Sequence, residues 1–581
     1  MTDPRTWCAD PGDPALGDLV TALTALGYRK DSILSVLGAV GWRETLRGNP
    51  AAALRRLRQM TGSGPQATPD QVPSRATLLT EAFFLRRPVT RSRLVSVLGA
   101  DLVDRLCTAR VLVLSAAEPV TAPDPDPAGH PDPLLVPTVD IRPVDSEFAP
   151  DQGVLIASDP DASLDVRIPG PEHVPGVGRA PLTLLNQVPP DRAGKLLDLG
   201  TGSGVLALTL PADTVVATDI HERALDFARA SERSVLRRDA GRPESRSGSP
   251  TGARSPVDWR AGSWFDPVRD EKFDRIVSNP PFVIGDGTVG HIYRDSGMEL
   301  DGASRLVTSG AAEHLCPGGT AHLLGAWATG FDRSPASRVA SWLPDEGIRA
   351  WVIQRDEVDP ETYVRTWLTD ESVDLRTPAG RQRTLDWLDM FDLRGITRIG
   401  MGYLHLQRID GPTEVTFEEI TTPDPGYFGG EVTEWFRRSA WLSDRDAGDV
   451  LAARYAVRPT VARETVELPD PSGMGFRTVA LRLTRTDGPR FSHEIDAPLS
   501  AVVAGLNPRG LSLGDTAGLY CAVNGLDEDE FTSALCPLAV DLVRHGILLP
   551  ADLLDDPVDS DDLDDRDDRD DRDATDGGST R

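Results

Sequence analysis

Cysteine is scarce in this 581-residue chain: Cys8, Cys107, Cys316, Cys521 and Cys536 stand far apart, with no CxxC spacing. That scatter excludes a zinc ribbon or a disulfide framework as the organising device, so no metal is expected and the thiols are expected to be reduced. Long apolar runs are missing too. No stretch reaches the roughly eighteen apolar residues of a membrane span, and the first residues, with Asp3, Asp10 and Asp13, lack the apolar core of a signal peptide. A cytoplasmic protein with no membrane partner is the expectation. Positive charge is also in deficit, with 61 Lys and Arg against 90 Asp and Glu and a net charge of −29. Tight binding to nucleic acid by counterion release needs an extended basic stripe, and none is present.

The charge is unevenly placed. From Asp552 onward the chain holds 14 Asp and 4 Arg, supplying about −10, whereas residues 1–120 come to about +4. The repeat of Asp-Asp-Arg in residues 551–581 predicts an acidic, self-repelling, disordered tail. Arg55, Arg56, Arg58, Arg86 and Arg87 are the best basic candidates, although short runs of this kind usually form a solvated face.

A chain of this length implies three or four domains. Residues 1–120 read as a helical domain: Leu19, Leu23 and Leu26 share one helix face, and the cluster from Leu78 to Leu114 is spaced like a small winged helix. Residues 121–134, rich in Pro and Asp, form a stiff polar linker. Val139–Pro143 and Gly153–Ala157 read as strands leading into an α/β domain over residues 135–410, interrupted at about 239–256 by a disordered insertion rich in Gly, Ser, Pro and Arg. Residues 411–550 read as an α+β domain whose last part, Ala497–Pro550, again has winged-helix spacing. For both winged-helix-like parts packing or protein contact is favoured, since neither has a dense basic recognition helix.

Within the α/β domain, Lys195–Leu199 reads as a buried strand and Val205–Leu208 as the start of a helix. The glycines of Asp198-Leu-Gly-Thr-Gly-Ser-Gly204 therefore lie on a strand-to-helix turn. Glycine lets backbone approach a ligand closely and take positive φ at little cost. A second strand, Val215–Asp219, ends in a carboxylate placed to accept from ribose hydroxyls. Asp198, Gly200, Thr201, Gly202, Gly204, Asp219 and Ile220 are thus candidates for binding an adenosine-bearing cofactor. Gly202-Ser-Gly204-Val-Leu-Ala207 also satisfies a dinucleotide pattern, but a carboxylate at Asp198 would serve a pyrophosphate poorly. A bland turn with no ligand is the remaining alternative.

Some eighty residues on, Phe273–Ser278 alternates like a central strand and ends at Asn279-Pro280-Pro281-Phe282. Two prolines stiffen the turn. They fix two acceptors, the Asn279 side-chain carbonyl and the Pro280 backbone carbonyl, which match the two coplanar donors of an amide or aromatic NH2. Phe282 offers an apolar face for stacking. Such a site suits transfer of an activated group to that NH2 by positioning and electrostatics, without metal or strong base. An ordinary Asn-Pro turn closing a strand is the bland alternative. Further on, Tyr293, Arg294 and Asp295 are candidates for a substrate-covering loop, and Met401–Gln407 suits a closing strand.

Leu196–Leu208, Thr218–Leu225, Gly262–Phe265 and Ile276–Phe282 resemble the corresponding segments of class I methyltransferases of the "methyltransferase small" superfamily, and of the HemK-type glutamine methyltransferases within it, over about residues 170–330. The resemblance implies a Rossmann-like, seven-stranded sheet, S-adenosyl-L-methionine as cofactor, and a macromolecular acceptor. That acceptor is a protein glutamine amide or, as runner-up, the exocyclic amine of a ribosomal or transfer RNA base. Family members commonly bind the adenine amine with an acid where this chain has Gly262-Ser263-Trp264. Ser263, Trp264 or nearby backbone takes that place here, and Asn279 also borders the cofactor. Ser231 stands where the family often has Asn, and Phe282 where glutamine methyltransferases usually carry Tyr. A non-catalytic cofactor-binding regulator or scaffold is the reading of another class.

Overall fold

In the computed structural model, which describes residues 9–60, 74–115, 132–145, 153–161, 164, 170–240, 255–287, 296–371, 373–420 and 426–554, the first helix, α1 (Pro14–Ala25), starts where its sequence signals a start. The Asp13 carboxylate accepts from the Ala15 N–H at 2.8 Å, and proline occupies the first turn. Leu16, Leu19, Val20 and Leu23 are buried along one face, with Leu26 packed partly against them. Helix α2 (Lys30–Leu46) is broken at Gly38, whose φ of 70° no helix allows. Helix α3 (Ala51–Met60) packs back on α2, leaving Arg55, Arg56 and Arg58 exposed.

Next come α4 (Arg75–Leu79), prolonged by a π turn over Thr80–Phe84, then β1 (Val89–Thr90), α5 (Arg91–Leu98), α6 (Ala100–Thr108), β2 (Leu112–Leu114) and β3 (Leu134–Pro137). These strands form one antiparallel sheet in the order β1-β3-β2. Leu134–Pro137, at the expected 134/135 boundary, is the central strand of this small sheet, pairing Leu135 with Val89 and with Leu114. Its short apolar run finds its ladder partners only there. Residues 116–131, most of the expected linker, lie outside the described residues. Strands β4 (Asp140–Val144) and β5 (Val154–Ser158) pair as a separate antiparallel ribbon.

The cofactor domain follows: α7 (Arg179–Leu185), β6 (Ala193–Leu199), α8 (Val205–Thr209), β7 (Ala212–Asp219), α9 (Glu222–Ala240), β8 (Asp258–Ala261) and β9 (Phe273–Ser278). Ser231 and Ser234 on α9 accept from the Ala157 and Leu155 N–H groups at 2.9 and 3.1 Å. A serine hydroxyl thereby satisfies buried ribbon edge groups that would otherwise be unpaired, which is the role found for Ser231. The insertion expected at 239–256 falls largely on 241–254, outside the described residues.

A small ribbon, β10 (Gly285–Asp286) with β11 (Glu299–Leu300), precedes α10 (Gly302–His314) and β12 (Leu315–Thr329). Then come α11 (Pro335–Ala340), β13 (Glu346–Val358), α12 (Pro360–Asp370), α13 (Pro378–Leu393), β14 (Arg398–Pro412) and β15 (Glu414–Glu419). The sheet order is β15-β13-β14-β12-β9-β6-β7-β8, and β14 runs antiparallel to both its neighbours. Eight strands replace the seven expected, and the sheet continues past residue 410 to 419. The eighth strand, Glu-Val-Thr-Phe-Glu-Glu, reads as polar, yet its carboxylates meet donors on β13: Arg349 Nε to Glu414 at 2.9 Å, Trp351 Nε1 to Glu418 at 2.6 Å and Gln354 Nε2 to Glu419 at 3.1 Å. Edge pairing with charge-assisted bonds holds it in place.

The chain divides into two units, residues 1–421 with 426–429, and residues 422–425 with 430–581. The second contains α14 (Gly429–Ser443), α15 (Ala447–Ala452), β16 (Tyr455–Val457), β17 (Val461–Pro469), β18 (Phe476–Arg485), β19 (Ser492–Ile495), α16 (Ala497–Ala504), α17 (Leu513–Asn524), α18 (Glu528–Arg544) and β20 (Leu548–Pro550). Strands β17-β18-β19 form a sheet, and β20 pairs with β16. The module expected over Ala497–Pro550 therefore takes its strand partner from Tyr455–Val457 and is discontinuous in sequence. A buried ion cluster ties the unit together: Glu431 accepts from Arg438 at 2.5 Å and Arg485 at 2.7 Å, and Arg485 also reaches the His545 carbonyl at 3.0 Å. Residues 555–581, nearly all of the acidic tail, lie outside the described residues.

Candidate active site

The sheet brings the two motifs together by register. Leu199 on β6 pairs with Ser278 on β9 and with Thr218 on β7, and Asp219 pairs with Ala261 on β8. Gly200, Ile220, Gly262 and Asn279 therefore follow at the carboxyl ends of four adjacent parallel strands, the edge at which open α/β sheets bind ligands. Ser278 Oγ fixes the β9 exit by donating to the Leu199 carbonyl at 2.8 Å.

Gly200, Gly202 and Gly204 all take positive φ, at 71°, 56° and 87°. The Gly200 and Thr201 N–H groups donate to the Thr218 carbonyl at 2.9 Å each, curling the loop toward β7. A Cβ at Gly204 would lie 3.1 Å from Ala228 and 3.3 Å from Trp259, so this glycine serves helix packing. At Gly200 and Gly202 a Cβ meets no protein atom within 4 Å, so those two face outward from the fold.

Two carboxylates order the loop. Asp198, buried, accepts from Thr201 Oγ1 at 2.6 Å and from the Ala207 N–H at 2.8 Å, tying the strand end to α8. Burial pushes its carboxyl up to about 7, against the opposing pull of those two hydrogen bonds. Asp219 accepts from the Gly202 N–H at 2.8 Å and from the His221 N–H at 2.9 Å, and burial raises its carboxyl as well. A ribose diol needs an acceptor of this kind at the end of the second strand. The adjoining Ile220 side chain is 64% exposed, an apolar surface beside that carboxylate on which an adenine ring fits.

The Gly262 N–H donates to the Asp219 carbonyl at 2.9 Å, which brings Ser263 and Trp264 alongside Asp219. Trp264 has a φ of 47°, rare for a side-chain-bearing residue. Glu232, an acid the sequence reading passed over, lies near this region, but it accepts from the Val257 N–H and Trp259 Nε1 and is taken up by holding β8. Also missed was the segment at Val174–Gly178: Ser203 Oγ donates to the Pro175 carbonyl at 3.0 Å, bringing it against the glycine loop. Its Pro-Gly-Val-Gly composition was the available signal.

Asn279, Pro280, Pro281 and Phe282 continue from β9 as irregular backbone with trans peptides. Among the described residues the Asn279 amide has no hydrogen-bond partner. Phe282 meets Trp367 edge-on, ring centroids 6.4 Å apart at 78°. Tyr293, Arg294 and Asp295 lie outside the described residues. Among the described residues no cluster of three or more His, Cys, Asp or Glu could hold a metal ion, and no helix is long and apolar enough to cross a membrane.

These residues fit S-adenosylmethionine: glycines with outward-facing backbone, the Asp219 acceptor, and the exposed Ile220 beside it. Residues 176–323 match the methyltransferase small domain family, while residues 25–122 and 433–550 match two domain families of unknown function. The chain is 35% identical over 152 residues to a release factor glutamine methyltransferase of Xylella fastidiosa, covering 23% of this chain and 48% of that protein. It is 33% identical over 138 residues to one of Cereibacter sphaeroides, covering 21% and 44%. The chain thus spans about half the length of these curated relatives. A solved S-adenosylmethionine-dependent methyltransferase of Thiobacillus denitrificans, in complex with S-adenosyl-L-homocysteine, is 15% identical, covers 40% of this chain and 91% of its own, and has a TM-score of 0.21. Residues 176–323 thus match the methyltransferase small domain family and fit a HemK-like class I methyltransferase domain with S-adenosylmethionine as cofactor.

Proposed function

We propose that the chain is an N-methyltransferase that moves the methyl group of S-adenosylmethionine to a planar NH2, the acceptor being a glutamine side-chain amide of a protein. The observation that carries this reading is the register that sets Asn279 one residue beyond the Ser278–Leu199 pair, next to the glycine loop. Asp219 and Ile220 would hold the nucleoside, Gly200–Gly204 would pass beneath it, and Asp198 would keep the loop in shape. The cofactor supplies an activated methyl on a sulfonium. Asn279 Oδ1 and the Pro280 carbonyl each accept one N–H of the acceptor, which turns its nitrogen lone pair toward the donor and opposes delocalisation into the carbonyl. Transfer of that methyl would release the sulfur as a neutral thioether and one proton from the nitrogen to water, so the residues here would need only to position the acceptor and no strong base is required. The glutamine acceptor is supported by the curated relatives named above.

The order of α4, β1, α5, α6, β2 and β3, with β3 central, supports reading this N-terminal part as a winged helix. Its α6, at the recognition-helix position, carries Asp101 and Asp104, and Arg105 is engaged by Asp18 and Asp101 at 2.6 and 3.0 Å. That charge pattern supports a protein contact rather than DNA or RNA. The runner-up, an RNA base amine, draws support from the exposed Arg55, Arg56 and Arg58 on α3.

Incubating cell extract with enzyme and methyl-labelled S-adenosylmethionine, then digesting separately with protease and RNase, separates the two. Label released by protease alone is the expected result; release by RNase alone assigns an RNA acceptor, and no incorporated label with intact cofactor binding assigns a non-catalytic cofactor binder.

A further inference from the structure

The turn carrying Asn279 is held at two ends. Upstream, Ser278 is locked into the sheet by its pairing and its hydroxyl bond to Leu199. Downstream, Ile284 is fully buried, and both of its backbone polar groups are taken by side chains from far along the chain. Its N–H donates to Tyr363 Oη at 2.8 Å, and its carbonyl accepts from Trp387 Nε1 at 3.0 Å. A loop more commonly satisfies such groups locally or with water. Here one partner comes from α12 and the other from α13, a pair of helices inserted between β13 and β14.

The two helices are built around these contacts. Tyr363 meets Trp387 at 6.2 Å and Phe391 at 6.1 Å, both edge-on. Trp367, one helical turn after Tyr363, meets Phe282. Between the fixed points lie Asn279 to Val283, two of them prolines with restricted φ and no N–H. The Asn279 and Pro280 acceptors therefore sit on a short, stiff span whose far end is set by Tyr363 and Trp387.

We propose that the α12–α13 helix pair is the positioning device for the methyl acceptor: Tyr363 and Trp387 set the Asn279–Pro280 acceptors through Ile284, and Trp367 sets the tilt of the Phe282 ring. This rests on the reading of Asn279–Phe282 as the acceptor turn. Tyr363 and Trp387 are positioning residues, acting on the reaction only through the backbone they hold. The device affects the acceptor side alone, because the nucleoside residues Asp219 and Ile220 lie on β7 and at its exit.

The test uses the full chain with Tyr363→Phe, Trp387→Phe and, as reference, Asn279→Ala. Initial rates of label transfer from methyl-labelled S-adenosylmethionine at saturating concentration to the protein fraction of cell extract are measured. Cofactor Kd by calorimetry and hydrogen exchange of the segment containing Ile284 accompany them. Each clamp variant is expected to lose roughly 10- to 100-fold in rate with cofactor Kd unchanged, and Tyr363→Phe to speed exchange at the Ile284 amide. Wild-type rates in both clamp variants, with Asn279→Ala inactive, overturn the positioning role alone. Rate and cofactor affinity falling together in the clamp variants overturn it too, because that marks a general structural defect. Wild-type rates in Asn279→Ala overturn the acceptor reading itself. If Tyr363→Phe does not fold, Trp387→Phe, which keeps an aromatic ring, decides the matter.

Discussion

The two halves of the eight-stranded sheet satisfy their polar groups in different ways. In the half made of β8, β7, β6 and β9, the carboxylates of Asp198 and Asp219 stand at strand ends and bond to the backbone of the glycine loop and adjoining helix starts. In the half made of β12, β14, β13 and β15, polar side chains bond to one another across strands. His322 Nδ1 lies 3.0 Å from His405 Nδ1, Trp327 Nε1 donates to Gln354 at 2.9 Å, and Trp351 Nε1 to Glu418. The first half is shaped for a ligand at its edge. The second carries α12 and α13 between β13 and β14, and these helices bond to Ile284 beyond the Asn279–Phe282 segment.

Stability and binding are therefore expected to respond to different halves. The largest effect is expected from Trp327→Ala: this fully buried side chain fills the second half, and its removal should cost about 3–5 kcal/mol in denaturant unfolding of this unit. The folded variant should bind the cofactor as the parent does. Next is Asp219→Asn, which keeps the shape and one acceptor oxygen but loses the carboxylate: S-adenosylmethionine affinity is expected to weaken by about 10-fold or more in calorimetry, with a smaller stability loss than Trp327→Ala. A large cofactor effect of Trp327→Ala, or a stability loss in Asp219→Asn as large as that of Trp327→Ala, would contradict this division.

The pH response sharpens it, because the halves oppose each other. Burial raises the Asp198 carboxyl to about 7, from an ordinary value of 3.8. Its contribution therefore increases stability as pH falls from about 7 toward 4 and is lost as pH rises through that range. Burial lowers His405 to about 3 from 6.5, and burial together with the neighbouring His405 and Arg275 lowers His322 as well. Their contribution is present above about 6.5 and is lost as pH falls toward 3. Asp198→Asn should thus make the protein lose more stability than the parent on acidification from pH 7 to 4, by about 1 kcal/mol or more. Equal acid sensitivity in the two proteins, followed by thermal or urea unfolding across that range, would contradict the assignment. The smallest effect is expected from Glu418→Gln, which weakens one bond to Trp351 Nε1 and should cost about 1 kcal/mol, read as a small fall in unfolding midpoint with unchanged cofactor affinity.

The same contrast explains what the sequence could reveal. Gly200, Gly202 and Gly204 were readable because backbone at positive φ asks for glycine, and Asn279–Phe282 because two prolines end a strand. Such demands are local. The eighth strand was not readable: Glu414, Glu418 and Glu419 look like surface residues until Arg349, Trp351 and Gln354, some 65 positions away, are set beside them. Nor is the pairing of Leu134–Pro137 legible, because its partners Val89 and Leu112 lie on the far side of a proline-rich segment. The Tyr363 and Trp387 contacts are hidden in the same way, since they meet Ile284 from 79 and 103 positions away.

Single-turnover label transfer with Asn279→Ala, alongside S-adenosylmethionine Kd for the same variant, decides whether Asn279 presents the acceptor nitrogen to a cofactor held by the neighbouring strands. The expected rate is at least about 10²-fold lower with Kd within about threefold of the parent; transfer at the parental rate rules that role out.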